Sequence, residues 1–348
     1  MEEMDEPSSL RKNSSPKVLF LSKTTDEEKA GGPYKWAKEL EESLKEKEYP
    51  VEKFRSNWKS LFNRKIFSGF KKVNQTDVIQ VYVSNLGILS LTLFGKIRKK
   101  EVVYSCRGNF FEEWKKTKNY WLFLKYYLLA KMANKIIFPS KYMQKVISKK
   151  FKNKPTEVLY TPNEEKKQIK KSPKSKNKKY TFLQVTSFDY YKKGEGVLLL
   201  SKTFKEFSKI YKDSRLIIVG GGKHLEEFKE KVKGKNITFL GRQSKNKVAQ
   251  QMKDCDCFIH ITGLDNLPIS ILEATSFNKP IIASNKFGIP EISKDLYLTE
   301  NTVKDILGKM LKVYESGEKK RNYRDIKKFG KNRAVNNFIR YYRETFKP

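Results

Sequence analysis

The feature that most constrains this chain is a repeated change of hydrophobic period. Short apolar runs that suit buried parallel strands alternate with stretches whose apolar residues recur at helical spacing, and the whole pattern occurs twice. In the first half the runs are Lys17–Ser22, Asp77–Val83, Glu101–Ser105, Lys135–Pro139 and Thr156–Tyr160. Trp36, Ala37, Leu40 and Leu44 mark one face of a helix over Tyr34–Lys47. The second half restarts with Tyr180–Thr186 and a helix over Val197–Tyr211, then Arg215–Val219, Asn236–Leu240, Cys257–Ile261 and Pro280–Ala283. Between the halves, Glu164–Lys179 holds no large apolar residue except Ile169, which marks a linker. Strands alternating with helices predict an α/β protein of two Rossmann-like domains with parallel sheets. The expected layout is a loose tail over 1–16, a first domain over 17–165 and a second over 178–329. A helix at about 330–348 is expected to cross back to the first domain. Two such halves would face a central cleft, with ligands outside the carboxyl ends of the strands.

A chain of 348 residues suits two domains of ordinary size. Its 74 Lys and Arg against 39 Asp and Glu leave a formal charge of +35. Such a field favours polyanions (nucleic acid, anionic lipid or a phosphorylated substrate), although a general lysine bias would produce it too. No run approaches the roughly 20 apolar residues of a membrane span, and Trp121–Ala130 is interrupted by Lys125. The polar, acidic first residues do not read as a secretory signal. Three cysteines make no disulfide framework, and a cytosolic, reduced protein is the simplest expectation. The two histidines, His224 and His260, have no acid or cysteine cluster at ligand spacing, so no catalytic metal is expected. Cys255 and Cys257 read as small buried residues.

Two nucleotide fingerprints fail at Gly220-Gly-Gly-Lys223. A phosphate-binding loop would need glycine at Ile217 and Ser or Thr at His224, and the dinucleotide pattern would need glycine at Leu225. A tight strand-to-helix turn near a ligand remains. The strongest signal is Asp265-Asn-Leu-Pro-Ile-Ser-Ile-Leu-Glu273-Ala, followed by Asn278-Lys-Pro-Ile-Ile-Ala and Gly288-Ile-Pro-Glu291. Two acids with seven residues between them straddle a loop and the start of a helix. Backbone N–H groups at such a turn suit a diphosphate or a sugar hydroxyl, and an acid a turn or two into the helix suits a ribose diol. An ordinary loop–helix junction with a capping acid has the same spacing.

This segment resembles the retaining family-4 glycosyltransferases of the GT-B fold, whose signature is an acid, seven residues, then Glu and Ala. Further stations are similar in order. Gly31 and Gly32 resemble the family's N-terminal glycine loop, and Tyr160-Thr-Pro-Asn163 the turn that ends the first domain. Gly220 to Gly222 resemble its strand–glycine turn, and Phe239-Leu-Gly241-Arg242 the turn beside the base. The resemblance spans roughly residues 17 to 346 and implies a GT-B architecture with the donor held mainly by the second domain. It implies a nucleotide-diphosphate sugar, UDP or GDP, as co-substrate, with no separate cofactor. Glu273 is then expected at the ribose, Lys192 or Lys193 at the diphosphate, and Asp265 with the Asn266 and Leu267 backbone at the donor sugar. Gly31, Gly32, Ser187, Gly220, Gly222 and Arg242 complete the expected donor site. Two departures stand out: the first acid is Asp265 where the family usually has Glu, and Ser187 occupies the usual arginine position.

In the first half, Cys106-Arg107-Gly108-Asn109 follows a strand where many relatives have His-Gly. Arg107 either binds a phosphate or an acidic acceptor, or pairs with Glu112 or Glu113. Cations and aromatics interleave most densely over Arg55–Lys72 and Lys115–Lys131. For the first stretch, with Trp58, Phe62 and Phe67, an interfacial membrane patch and core packing weigh equally; for the second, core packing is expected. The reading is a glycosyltransferase peripheral to an anionic membrane, with a lipid-linked or surface-glycan acceptor. A nucleic-acid-binding or DNA-modifying protein, or an inactive relative, stands as the alternative, and the oligomeric state is not indicated.

Overall fold

A parallel strand covered on both faces has no wet side, so its sequence reads as an unbroken apolar run. Three strands of this chain are buried at every position: Val78–Val81, Cys257–His260 and Ile281–Ser284. They belong to a computed structural model that describes residues 15–23, 32–56, 65–82, 85–161 and 179–346. Contacts divide the chain into two compact units. The first comprises Met1–Pro139, Gln144–Pro162 and Asn332–Pro348; the second comprises Ser140–Met143 and Asn163–Lys331.

In the first half the strands are β1 (Val18–Lys23), β2 (Val51–Ser56), β3 (Val78–Val81), β4 (Glu101–Ser105), β5 (Lys135–Phe138) and β6 (Thr156–Val158). They form one sheet in the order β2-β1-β3-β4-β5-β6, every neighbouring pair parallel. The helices are α1 (Gly32–Glu46), α2 (Lys65–Asn74), α3 (Leu86–Ile97), α4 (Phe110–Thr117), α5 (Tyr120–Met132) and α6 (Lys141–Ser148). Asn85 and Asn119 cap α3 and α5, each side-chain oxygen accepting an N–H of the first turn.

The second half carries β7 (Tyr180–Val185), α7 (Tyr191–Ile210), β8 (Ser214–Val219), α8 (Leu225–Lys231), β9 (Ile237–Gly241) and α9 (Lys245–Asp254). It continues with β10 (Cys257–His260), α10 (Ile269–Thr275), β11 (Ile281–Ser284), β12 (Tyr297–Thr299) and α11 (Val303–Glu315). This sheet is also wholly parallel, in the order β12-β11-β10-β7-β8-β9. The chain steps outward from β7 to β8 and β9, then returns to the other side of β7 at β10. The β7/β10 boundary is therefore the topological switch point.

Each unit has its own core. In the second, Phe182, Phe204, Phe207 and Ile259 pack with Ile306, Met310 and Val313 of α11. In the first, Val18, Phe20, Trp36 and Leu40 pack with Val335, Phe338, Tyr341 and Tyr342, all four from α12 (Lys331–Thr345). Two strands escape the hydrophobic reading of the sequence, and both are edge strands. β2 reads VEKFRS and β12 reads YLT, and an edge has less apolar surface to cover.

Candidate functional site

The segments leaving β7 and β10 at the switch point are Thr186–Lys193 and Ile261–Asn266. α7 starts at Tyr191, six residues before the helix expected from periodicity at Val197. The intervening Gly194 and Gly196 read as loop residues, but they lie inside the helix because it is pressed against its neighbours. A Cβ at Gly196 would sit 1.9 Å from the Ile261 carbonyl oxygen, and one at Gly194 would sit 2.2 Å from the Phe228 ring. Only residues without a side chain permit that approach.

The approach carries Lys193 onto Asp265, with Nζ 2.5 Å from Oδ1. His260, at the end of β10 and 1% exposed, places Nε2 3.2 Å from Asp265 Oδ2. The Thr262 hydroxyl donates to the same Oδ2 at 3.4 Å and accepts the N–H groups of Leu264 and Asp265 at 3.2 and 3.1 Å. Burial by itself would raise the Asp265 pKa. The Lys193 ammonium and the His260 hydrogen bond outweigh burial and hold the carboxyl well below the usual carboxylate range. Lys192 points elsewhere, exposed, with Glu195 Oε2 3.4 Å from its Nζ.

Asn266 is tied by its carbonyl, which accepts the Gly288 N–H at 2.9 Å, and by its Oδ1, which accepts the Ser140 hydroxyl at 3.2 Å. Its Nδ2 is buried without a partner, as is Nδ1 of His260. Leu267 is half-buried beside Pro268, the N-cap of α10, and Glu273 lies half-buried within α10 itself. The switch point thus offers a fixed lysine, a carboxylate that holds it, and two buried nitrogens lacking partners. That set can receive an anion and a polyhydroxyl group side by side.

Residues 165–332 match the family of glycosyl transferases group 1. The match lies over the second unit. Over 231 residues the chain is 27% identical to an uncharacterized glycosyltransferase of Methanocaldococcus jannaschii, covering 60% of this chain and 55% of that protein. The chain thus spans little more than half the length of that curated relative. Among solved structures, sucrose-phosphate synthase of Thermosynechococcus elongatus superposes with a TM-score of 0.71 at 14% identity, covering 94% of this chain and 98% of that one. Anabaena HepE in complex with UDP-glucose gives 0.66 at 16% identity, covering 95% and 99%. At such identities the likeness is one of fold, and the fold is GT-B: two Rossmann-like units, each a parallel sheet of six strands.

In the second unit the glycine turn after β8 is a backbone clasp. Gly220 and Gly222 have φ of +151° and +147°, and a Cβ on either would strike the Thr186 carbonyl or the Phe188–Asp189 backbone. Phe188 donates its N–H to the Gly221 carbonyl at 3.0 Å, which holds the post-β7 segment against the turn. Ser187 is engaged within that segment, its hydroxyl donating to Asp189 Oδ2 at 2.7 Å. Arg242 is exposed at the end of β9, and a Cβ on Gly221 would come within 3.0 Å of Arg242 Cβ. The structure therefore brings Lys193, Asp265 and Asn266 together and sets Lys192 apart. His260 and Thr262 are the members that the sequence reading missed; the position of His260 at the carboxyl end of an apolar run was the available signal.

In the first unit, Gly31 lies outside the described residues and Gly32 opens α1. Trp58 and Phe62 also lie outside them. The expectation of core packing for Lys115–Lys131 is corrected. Leu129 and Ala130 are buried, but Tyr120, Trp121, Leu124 and Leu128 are exposed, Trp121 by 70%. Their spacing puts the last three along one stripe of α5. A second stripe, Leu86, Leu93 and Ile97, runs along α3, and Phe67 is 70% exposed on α2. α3 packs against both α2 and α5. These three helices contain no Asp or Glu and six lysines: Lys65, Lys71, Lys72, Lys96, Lys125 and Lys131. Among the described residues no helix is long and apolar enough to cross a membrane.

Proposed function

We propose that this chain transfers a sugar from a nucleotide-diphosphate sugar, of UDP or GDP, to an acceptor, with retention at the anomeric carbon. The observation that carries the reading is the Lys193–Asp265–His260 cluster at the switch point of the unit that matches the group 1 glycosyl transferases. When the glycosidic bond breaks, negative charge builds on the departing diphosphate, and a cation already in place stabilises it without reorganising. Lys193 is that cation. Asp265 keeps it aimed, and with the Asn266 and Leu267 backbone orients the donor sugar. Glu273 hydrogen-bonds the ribose, while Gly220, Gly222 and Arg242 border the nucleotide. The complex of Anabaena HepE with UDP-glucose makes that donor the first to try. The test is a nucleotide-sugar hydrolysis panel, in which one base and sugar should be turned over slowly without acceptor. Absence of turnover with every donor and of transfer to every acceptor would overturn the reading. Transfer is expected to persist in excess EDTA, because no group of three His, Cys, Asp or Glu among the described residues is placed to hold a metal. Loss in EDTA with rescue by Mg²⁺ would correct that point.

The partner surface proposed for the first unit is an anionic membrane. Exposed apolar stripes on mutually packed helices free of acids and rich in lysine match a bilayer interface in both parts, the apolar residues entering and the lysines meeting headgroups. The acceptor would then be lipid-linked or close to the membrane.

A further inference from the structure

Arg107 sits in the loop between β4 and α4, in the first unit. Its guanidinium lies over the Trp36 indole, with Cζ 3.3 Å from the ring centroid. Nη1 donates to the Thr161 hydroxyl at 3.1 Å. Nε and Nη2 are buried and have no partner, and no acid among the described residues is within ion-pair distance. These two donors share one edge of the planar group, the parallel fork that receives two oxygens of one oxyanion. Burial pushes the guanidinium pKa down to about 9, so at neutral pH the group is still a cation, with no counter-charge among the described residues; the side chains of Glu112 and Glu113 lie outside them. Buried charges are ordinarily paired, and an unpaired one is retained at a cost to stability. The residue as a whole is half-buried. The neighbouring Gly108 is exposed, and a Cβ there would meet no atom within 4 Å, so the loop borders open space.

We propose that the Nε–Nη2 edge of Arg107 is an oxyanion site, and that the acceptor carries a phosphate or carboxylate that seats on it. The part concerning the acceptor rests on the glycosyl-transfer reading; the site itself does not. Two features argue that the site is built for a ligand. The contact with Trp36 and the bond to Thr161 hold the fork in place, and neither supplies the missing negative charge.

The test is equilibrium binding of inorganic phosphate and of acetate to the full chain, followed by thermal stability and tryptophan fluorescence. Arg107→Gln, Arg107→Lys and Lys193→Ala are run alongside. Saturable binding of either ion that persists in Lys193→Ala, and weakens at least tenfold in Arg107→Gln, is expected. Arg107→Lys keeps the charge without the fork and is expected to weaken binding as well, which carries the test should Arg107→Gln fail to fold. Preference for phosphate or for acetate names the anion. Binding that survives both Arg107 variants, or that vanishes only in Lys193→Ala, would overturn the site, as would no binding. Transfer to an anionic acceptor is expected to show a raised acceptor KM in Arg107→Lys with kcat little changed. A lost kcat at an unchanged acceptor KM would count against the place of the site in acceptor recognition. Hydrolysis absent from the wild type itself would count against the transferase reading alone.

Discussion

Lys192 and Lys193 are neighbours in sequence, yet only one of them is part of the cluster at the switch point. Successive residues on a helix point about 100° apart, so which lysine faces Asp265 depends on where α7 begins and how it is rotated. A single sequence carries neither quantity, which is why the pair stayed unresolved until the helix was seen to start at Tyr191. Lys193→Ala is expected to lower transfer by roughly a hundredfold, about 2–4 kcal/mol of lost leaving-group stabilisation. Lys192→Ala should stay within about twofold, since an exposed ion pair is worth about 1 kcal/mol or less. Equal losses in steady-state rate would remove the assignment. A pH test concerns the acid. Its folded pKa lies below the unfolded value of about 3.9, so the unfolded chain binds more protons as the pH falls through that interval. The stabilisation from Asp265 is therefore complete above about pH 4 and is lost progressively below it. Denaturation midpoints of wild type and Asp265→Asn should differ at pH 7, and the gap should begin to narrow as the pH falls below about 4. A gap that does not change with pH would mean that the ion pair contributes nothing. Asp265 itself was legible from its spacing to Glu273, whereas His260 and Thr262 were not, because their part is to hold another side chain.

At the scale of elements, glycine is the residue whose meaning depends most on its surroundings. Gly196 and Gly308 both lie inside helices, α7 and α11, and propensity alone predicts that alanine would stabilise either by roughly 0.5–1 kcal/mol. Their surroundings reverse that for one of them. A Cβ at Gly308 would meet nothing within 4 Å, whereas one at Gly196 would run into the Ile261 backbone. Gly308→Ala is expected to raise the urea midpoint. Gly196→Ala is expected to lower it by the equivalent of about 1–3 kcal/mol, the usual cost of overpacking, and to weaken donor binding by shifting Lys193. A stabilised Gly196→Ala protein would show that α7 does not need the close approach. The same dependence on surroundings explains how the elements read from sequence. Buried strands announced themselves as apolar runs, while β2 and β12, at sheet edges, did not. α5 was the opposite case, since a helix that is apolar nearly all round gives no sign of which side stays uncovered.

At the scale of the molecule, a charge of +35 says which partners are attracted but not where they land. On the membrane reading proposed above, the acid-free helices α2, α3 and α5 would supply the place. Each lysine near an anionic surface contributes about 1 kcal/mol, within a screening length of about 10 Å at 0.1 M salt. The protein should therefore co-sediment with acidic vesicles at low salt and less at high salt. Replacing Trp121, Leu124 and Leu128 together by Ser should reduce the bound fraction while leaving donor hydrolysis intact. No vesicle binding at low salt would exclude the surface, and preferential capture by DNA would favour a nucleic-acid partner instead. The division into two halves was legible because the alternation of strand and helix restarts after a basic stretch. The closing of the first core by α12 has a consequence in time. Val18 and Phe20 leave the ribosome long before Val335, Phe338 and Tyr342, which fill the same core. Translation at about 5–20 residues per second usually matures domains from the N-terminus onward. Here the second unit's chain is made while the first core still lacks the residues of α12, so that core can close only once α12 has emerged.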